Sequence, residues 1–112
     1  MIKHEERLAG VNPRLVEVVK LAASICPIDI YVLEGVRTME RQRELFKAGK
    51  SKTLNSRHLT GDAVDLWDGK NWHAAYFLPI ITAMNKAAQQ LGVKVTGGYS
   101  WGWDSPHWQI EK

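Results

Sequence analysis

The amino-acid sequence predicts an α+β fold, a small central antiparallel sheet with flanking helices. Three observations carry this expectation. Apolar residues recur at helical spacing in stretches with clear start and stop signals. Short runs rich in β-branched and aromatic residues lie between turn formers. Helix and strand signals are mixed without the regular alternation that a parallel sheet needs.

Each element has its own justification. Asn12 suits a helix N-cap, and Pro13 suits the first helical position, where its missing N–H costs nothing. Leu15, Val16, Val19, Ala22 and Ala23 then share a face, and Pro27 ends the helix. Residues 28–33 read as a buried strand. The Gly35-Val36-Arg37 turn leads into a second helix capped by Thr38, with Met39, Gln42, Leu45 and Phe46 on one face and Gly49 as its stop. Residues 50–55 are polar and loop-like, residues 63–67 form a short strand, and Asp68-Gly69 a turn. A third helical region runs from about Trp72 to Leu91 and closes at Gly92; Pro79 should kink or split it. Residues 93–95 are a strand candidate, 97–103 a loop, and 107–110 a closing strand.

Composition narrows the function classes. At 112 residues the chain reads as one domain, 1–112, long enough to bury a core without disulfides. No apolar run approaches the ~18 residues of a transmembrane span. The charged start, Met1 to Arg7, lacks the apolar stretch of a secretory signal, so synthesis in the cytoplasm is expected. The lone Cys26 sits in an apolar run and reads as a small buried hydrophobe. A net charge of +3 permits attraction to anionic polymers, but the basic residues are dispersed, which disfavours a nucleic-acid-binding protein.

The chemistry-bearing residues fall in two distant fragments. The first contains His58, Gly61, Asp62 and Asp65; the second is Asp104-Ser105-Pro106-His107. Two histidines and one carboxylate are the usual protein ligands of a hydrolytic zinc, which keeps a fourth position for water. Side chains alternate along a strand, so Val64 and Leu66 face the core while Ala63, Asp65 and Trp67 face away from it. Asp65 is therefore a better ligand than Asp62, with His58 and His107 as its companions. Pro106 restricts the chain between Asp104 and His107, and Asp104 becomes the candidate base. Trp101, Trp103 and Trp108 flank this fragment and suit either a groove wall or the core. Gly97-Gly98 lacks the lysine and helix start of a phosphate-binding loop. His73 reads as a helix-start or surface residue.

The pattern Ser56-x-His58-x-x-Gly61-x-Ala63-x-Asp65, with Asp104-x-Pro106-His107 downstream, resembles the zinc D-Ala-D-Ala carboxypeptidase and L-alanyl-D-glutamate peptidase family, peptidase family M15. Gly35-Val36-Arg37-Thr38, Gln42, Leu45 and Gly49-Lys50-Ser51 resemble that family's arginine-bearing turn and following helix. Within the family, the chain is similar to short phage and prophage endolysins. The resemblance implies a hedgehog/DD-peptidase-like fold and one Zn2+ held by His58, Asp65 and His107. It implies Asp104 as catalytic base, Arg37 as support for substrate or the developing oxyanion, and Ser56 in the substrate site; Gln42 and Trp103 are expected there too.

The expected activity is cleavage of the L-alanyl–D-glutamate bond of peptidoglycan stem peptides. The alternatives are a D,D- or L,D-carboxypeptidase trimming the stem terminus, and a non-catalytic wall-binding module. A monomer acting on the wall after holin-type release or lysis is expected, with no separate wall-binding domain, no nucleic-acid partner and no membrane insertion.

Overall fold

A computed structural model describes residues 1–51, 53–102 and 104–111. Five strands form one sheet in the order β1-β2-β3-β5-β4, with β1 Ile2–Lys3, β2 Ile30–Glu34, β3 Ala63–Trp67, β4 Val95–Gly97 and β5 His107–Ile110. Three helices accompany it: α1 Pro13–Ile25, α2 Met39–Lys47 and α3 Leu78–Leu91. All pairings are antiparallel except β1 with β2, so the sheet is mixed and mainly antiparallel.

The core lies on one face of the sheet. Ile30 and Val32 of β2, Val64 and Leu66 of β3, and Trp108 and Ile110 of β5 point into it. Leu15, Val18, Val19 and Ala22 of α1 and Ile80, Met84 and Ala87 of α3 cover them. Strand alternation sends the intervening residues, Asp65 and His107 among them, to the other face, where α2 and the connecting turns build a cleft.

Local signals explain most boundaries. Asn12 caps α1 by accepting from Arg14 N, with Pro13 in the first turn, and Thr38 caps α2 by accepting from Arg41 N. Pro79 splits the third helical region, the second of the two expected outcomes: it sits in the first turn of α3, behind a separate 3-10 turn, Ala74–Phe77, capped by His73. The strand expected at 93–95 is instead Val95–Gly97. Gly92 in the left-handed region and the Val93 N–H to Ala88 carbonyl bond (2.9 Å) spend those residues on closing α3. The strand expected at 28–33 begins only at Ile30, where pairing with β1 starts. Residues 98–101 form a 3-10 turn inside the expected loop. No helix among the described residues is long and apolar enough to cross a membrane.

Candidate active site

Asp65 stands in the middle of β3, opposite Glu34 on β2 and His107 on β5. The β2 register shifts between Val32 and Glu34: these two residues oppose Leu66 and Asp65, which are adjacent. This bulge breaks the alternation of β2 and lets both Leu33 and Glu34 line the cleft.

His58 comes from the 3-10 turn Arg57–Thr60 that precedes β3. Ser56 caps this turn by accepting from His58 N (3.2 Å), and Gly61 leaves it in the left-handed region, where a side chain would also meet the Gly10 carbonyl at 2.6 Å. The imidazole is buried, 1% exposed, and its Nδ1 donates to the Gly35 carbonyl at 2.8 Å. That carbonyl only accepts, so the bond fixes the tautomer and leaves the Nε2 lone pair facing Asp65 Oδ1 at 3.2 Å. His107 mirrors the arrangement with its nitrogens exchanged. Its Nε2 donates to Gln109 Oε1 at 3.0 Å, and Nδ1 faces Asp65 Oδ1 at 3.4 Å. Gln109 is itself oriented by donating from Nε2 to Glu111 (2.9 Å).

Three electron-rich atoms thus converge, one from each of His58, Asp65 and His107, all within 4.8 Å of one another. Neighbouring ligands of a tetrahedral ion bound at ~2.0–2.1 Å would lie roughly 3.3 Å apart, close to the two separations from Asp65. Lone pairs facing a carboxylate repel it unless a cation or proton lies between. The donor set therefore fits a metal ion, and hydrogen bonds to both outer histidine nitrogens are the usual support of such ligands. Burial raises the Asp65 pKa, but with protons on the facing nitrogens in place of a cation, hydrogen bonds from His107 and His58 outweigh it and hold the carboxyl well below its ordinary range.

Arg37 sits beside this group, with its side chain only 8% exposed. It pairs with Glu34 through Nη2, donates to Gln42 Oε1 at 2.7 Å, and lies 3.7 Å from Asp65 Oδ2. Gln42, expected at the substrate, is fully buried behind Arg37. Its Nε2 donates to Ser51 Oγ (2.8 Å) and the Thr53 carbonyl (2.5 Å), so it ties Arg37 to the loop after α2.

Asp104 is part-exposed, with Oδ2 3.9 Å from His107 Nδ1. Burial and then the charge of Asp65 raise its pKa above the ordinary carboxylate value, against the opposing pull of His107, His58 and Arg37. Its backbone is pressed against Gly98, where an added Cβ would overlap the Asp104 carbonyl oxygen. That close approach explains the glycine. Asp62 takes a structural part instead, accepting from Asn12 Nδ2 (3.1 Å) and Thr60 Oγ1 (2.7 Å).

The cleft above these residues measures about 760 Å³. Ser56, Trp101, Asp104 and Arg37 border it, as do the cations Arg41 and Lys50. The Trp101 and His107 rings lie 5.2 Å apart. Trp108 belongs to the core, 2% exposed, with its ring against Gly97. Trp103 lies outside the described residues. Arg57 bonds the Ile110 carbonyl (2.8 Å) and Glu111. Sequence reasoning missed Glu34, Gln109, the Gly35 carbonyl and Trp72. The alternation of β5, with Gln109 two residues after His107, was the available signal for Gln109; the bulge that turns Glu34 inward leaves none.

The model of the family described as phage L-alanyl-D-glutamate peptidase matches residues 2–111. The L-alanyl-D-glutamate peptidase of Escherichia phage T5 is 31% identical over 105 residues, covering 87% of this chain and 77% of that one. The crystal structure of the Serratia marcescens L-Ala D-Glu endopeptidase ChiX matches with a TM-score of 0.91 and 40% identity, covering 99% of this chain and 90% of that one.

Proposed function

This chain belongs to the phage L-alanyl-D-glutamate peptidase family, and from that premise we propose that it is a zinc-dependent peptidoglycan hydrolase cutting the L-alanyl–D-glutamate bond of stem peptides. The observation that carries the reading is the convergence of His58 Nε2, Asp65 Oδ1 and His107 Nδ1 at the floor of a cleft that also holds Asp104 and Arg37.

His58, Asp65 and His107 would hold the ion. When bound, zinc supplies a Lewis acid that lowers the pKa of water toward ~7 and polarises the scissile carbonyl. Asp104, its pKa raised above the ordinary carboxylate value by burial and the charge of Asp65, takes a proton from the attacking water and returns it to the leaving amine. Arg37 offers a fixed positive charge near the carbonyl oxygen as the amide becomes tetrahedral. Its pairing with Glu34 and bond to Gln42 hold it in place before substrate arrives, so little reorganisation is needed. Gln42 is a positioning residue in this scheme, and Ser56 orders the turn that carries His58 while bordering the substrate.

Mass spectrometry of digested muropeptides tests the bond. New termini at L-alanine and D-glutamate are expected; release of terminal D-alanine alone would make the protein a carboxypeptidase. Chelation should abolish the activity and zinc restore it. Undiminished wall binding without any cleavage would leave only a binding module.

A further inference from the structure

Trp72 does not take part in the scheme above, yet it is built with care. It is 62% exposed and lines the same cleft. Its ring stacks on Trp67, with centroids 4.3 Å apart and planes 17° from parallel. The connecting turn is tied down on both sides. Trp67 Nε1 donates to the Asn71 carbonyl at 2.6 Å, and Asp68 accepts from the backbone of Lys70 and Asn71, both at 2.8 Å. A large apolar ring is thus held at the cleft in one orientation with much of its surface in water. Such a fixed exposed ring is a platform for a flat, partly apolar ligand.

The position of the platform identifies the ligand. Trp67 and Asp65 are two residues apart on β3 and face the same side of the sheet, which sets them roughly 7 Å apart along the strand. In the proposed substrate, the carbonyl under attack belongs to L-alanine. That residue is joined by its nitrogen to the lactyl group of an N-acetylated sugar. One amino acid and one lactyl group are two residue-lengths, about 7 Å when extended.

The direction also agrees. Tyr31 pairs with Trp67 and Glu34 with Asp65, so β2 runs from the Trp67 end of β3 toward Arg37 and α2. Arg41 and Lys50, on α2 and the loop that follows it, also line the cleft, Arg41 with Glu44 at 3.5 Å. Lys50 makes no ion pair among the described residues. A substrate laid along β3 with its sugar over the tryptophans points its acidic D-glutamate toward the Arg37 end of the cleft.

Resting on the peptidase reading above, we propose that the Trp67–Trp72 stack binds the sugar ring that carries the stem peptide, so that the enzyme selects glycan-linked stems over free peptides. The apolar C–H face of the sugar packs on the Trp72 ring, and its hydroxyls stay in water.

The test compares two substrates, the disaccharide-tetrapeptide and an N-lactoyl tetrapeptide that keeps the same amide but lacks sugar. The native protein should show a kcat/KM about fivefold to tenfold higher for the first, the size expected of one stacked ring, and the difference should lie mainly in KM. In W72A that ratio should fall to about one, and W72F should restore part of it. A native ratio of one, or a W72A variant that loses activity on both substrates with the ratio intact, would overturn the proposal. If the native protein cleaves neither substrate, the peptidase reading itself fails.

Discussion

Substituting Gly98 by alanine is a sharp test of how Asp104, the proposed base, is placed. Gly98 has an ordinary negative φ, so a side chain there meets no backbone penalty. The obstacle is contact alone. An added Cβ would stand 2.9 Å from Asp104 Cβ and closer still to the Asp104 carbonyl oxygen, where relaxed contact needs ~3.5 Å or more. The atoms in conflict are mostly backbone, and no flexible side chain can swing away. Asp104 must retreat by on the order of 1 Å, a misplacement that can cost ~100-fold in rate. The ion site should survive: the His107 N–H does donate to the displaced Asp104 carbonyl (3.1 Å), but its sheet pairing with Asp65 and its bond to Gln109 still hold it. The expected outcome for G98A is a kcat/KM on muropeptides lower by ~100-fold, with metal content by elemental analysis unchanged. Overpacking should also lower stability by ~1–3 kcal/mol in denaturant melts. Full activity in a folded G98A protein would refute the placement of Asp104. Loss of metal together with activity would mean that Gly98 positions all of β5 and not the base alone.

Other outcomes follow from the same geometry. Asp104→Asn should keep its metal and lose most turnover, whereas His107→Ala should lower the metal content; measuring stoichiometry and rate on both variants separates base from ligand. Gln109→Leu removes the partner of His107 Nε2 and should weaken metal affinity by ~10–100-fold in competition with a chromogenic chelator, and an unchanged affinity would show that the ring needs no such anchor. Leu66→Ala empties a fully buried core position on the face of β3 opposite the site; a loss of ~2–5 kcal/mol in urea unfolding is expected, with metal stoichiometry retained.

The parts of the site legible in the sequence were those governed by short-range rules. Strand alternation alone separates Asp65 from Asp62, and the structure gives Asp62 to Asn12 and Thr60. The Asn12 and Thr38 caps were readable because capping is a local bargain between a side chain and the next few N–H groups. Long-range pairing was not readable. β1 is two residues long and gains its identity only from β2, twenty-eight positions along the chain from Ile2 to Ile30. The bulge that turns Glu34 toward Arg37 is a property of the β2–β3 register, and no periodicity within β2 announces it. Gln42 shows the limit of a resemblance: the position matched, but only packing reveals that its amide serves Arg37 from behind.

The two histidines offer different nitrogens, Nε2 from His58 and Nδ1 from His107. Nδ1 sits one atom nearer the backbone, so the two positions have different reach. A side chain ending in a δ-oxygen, aspartate or asparagine, matches the span of the imidazole at 107, and one ending in an ε-oxygen, glutamate or glutamine, matches it at 58. The vocabulary of replacement ligands is therefore unequal at the two positions. Anyone retuning the centre for a harder ion would write glutamate at 58 and aspartate at 107, and the reverse spelling would miss the centre by a bond length at both ends.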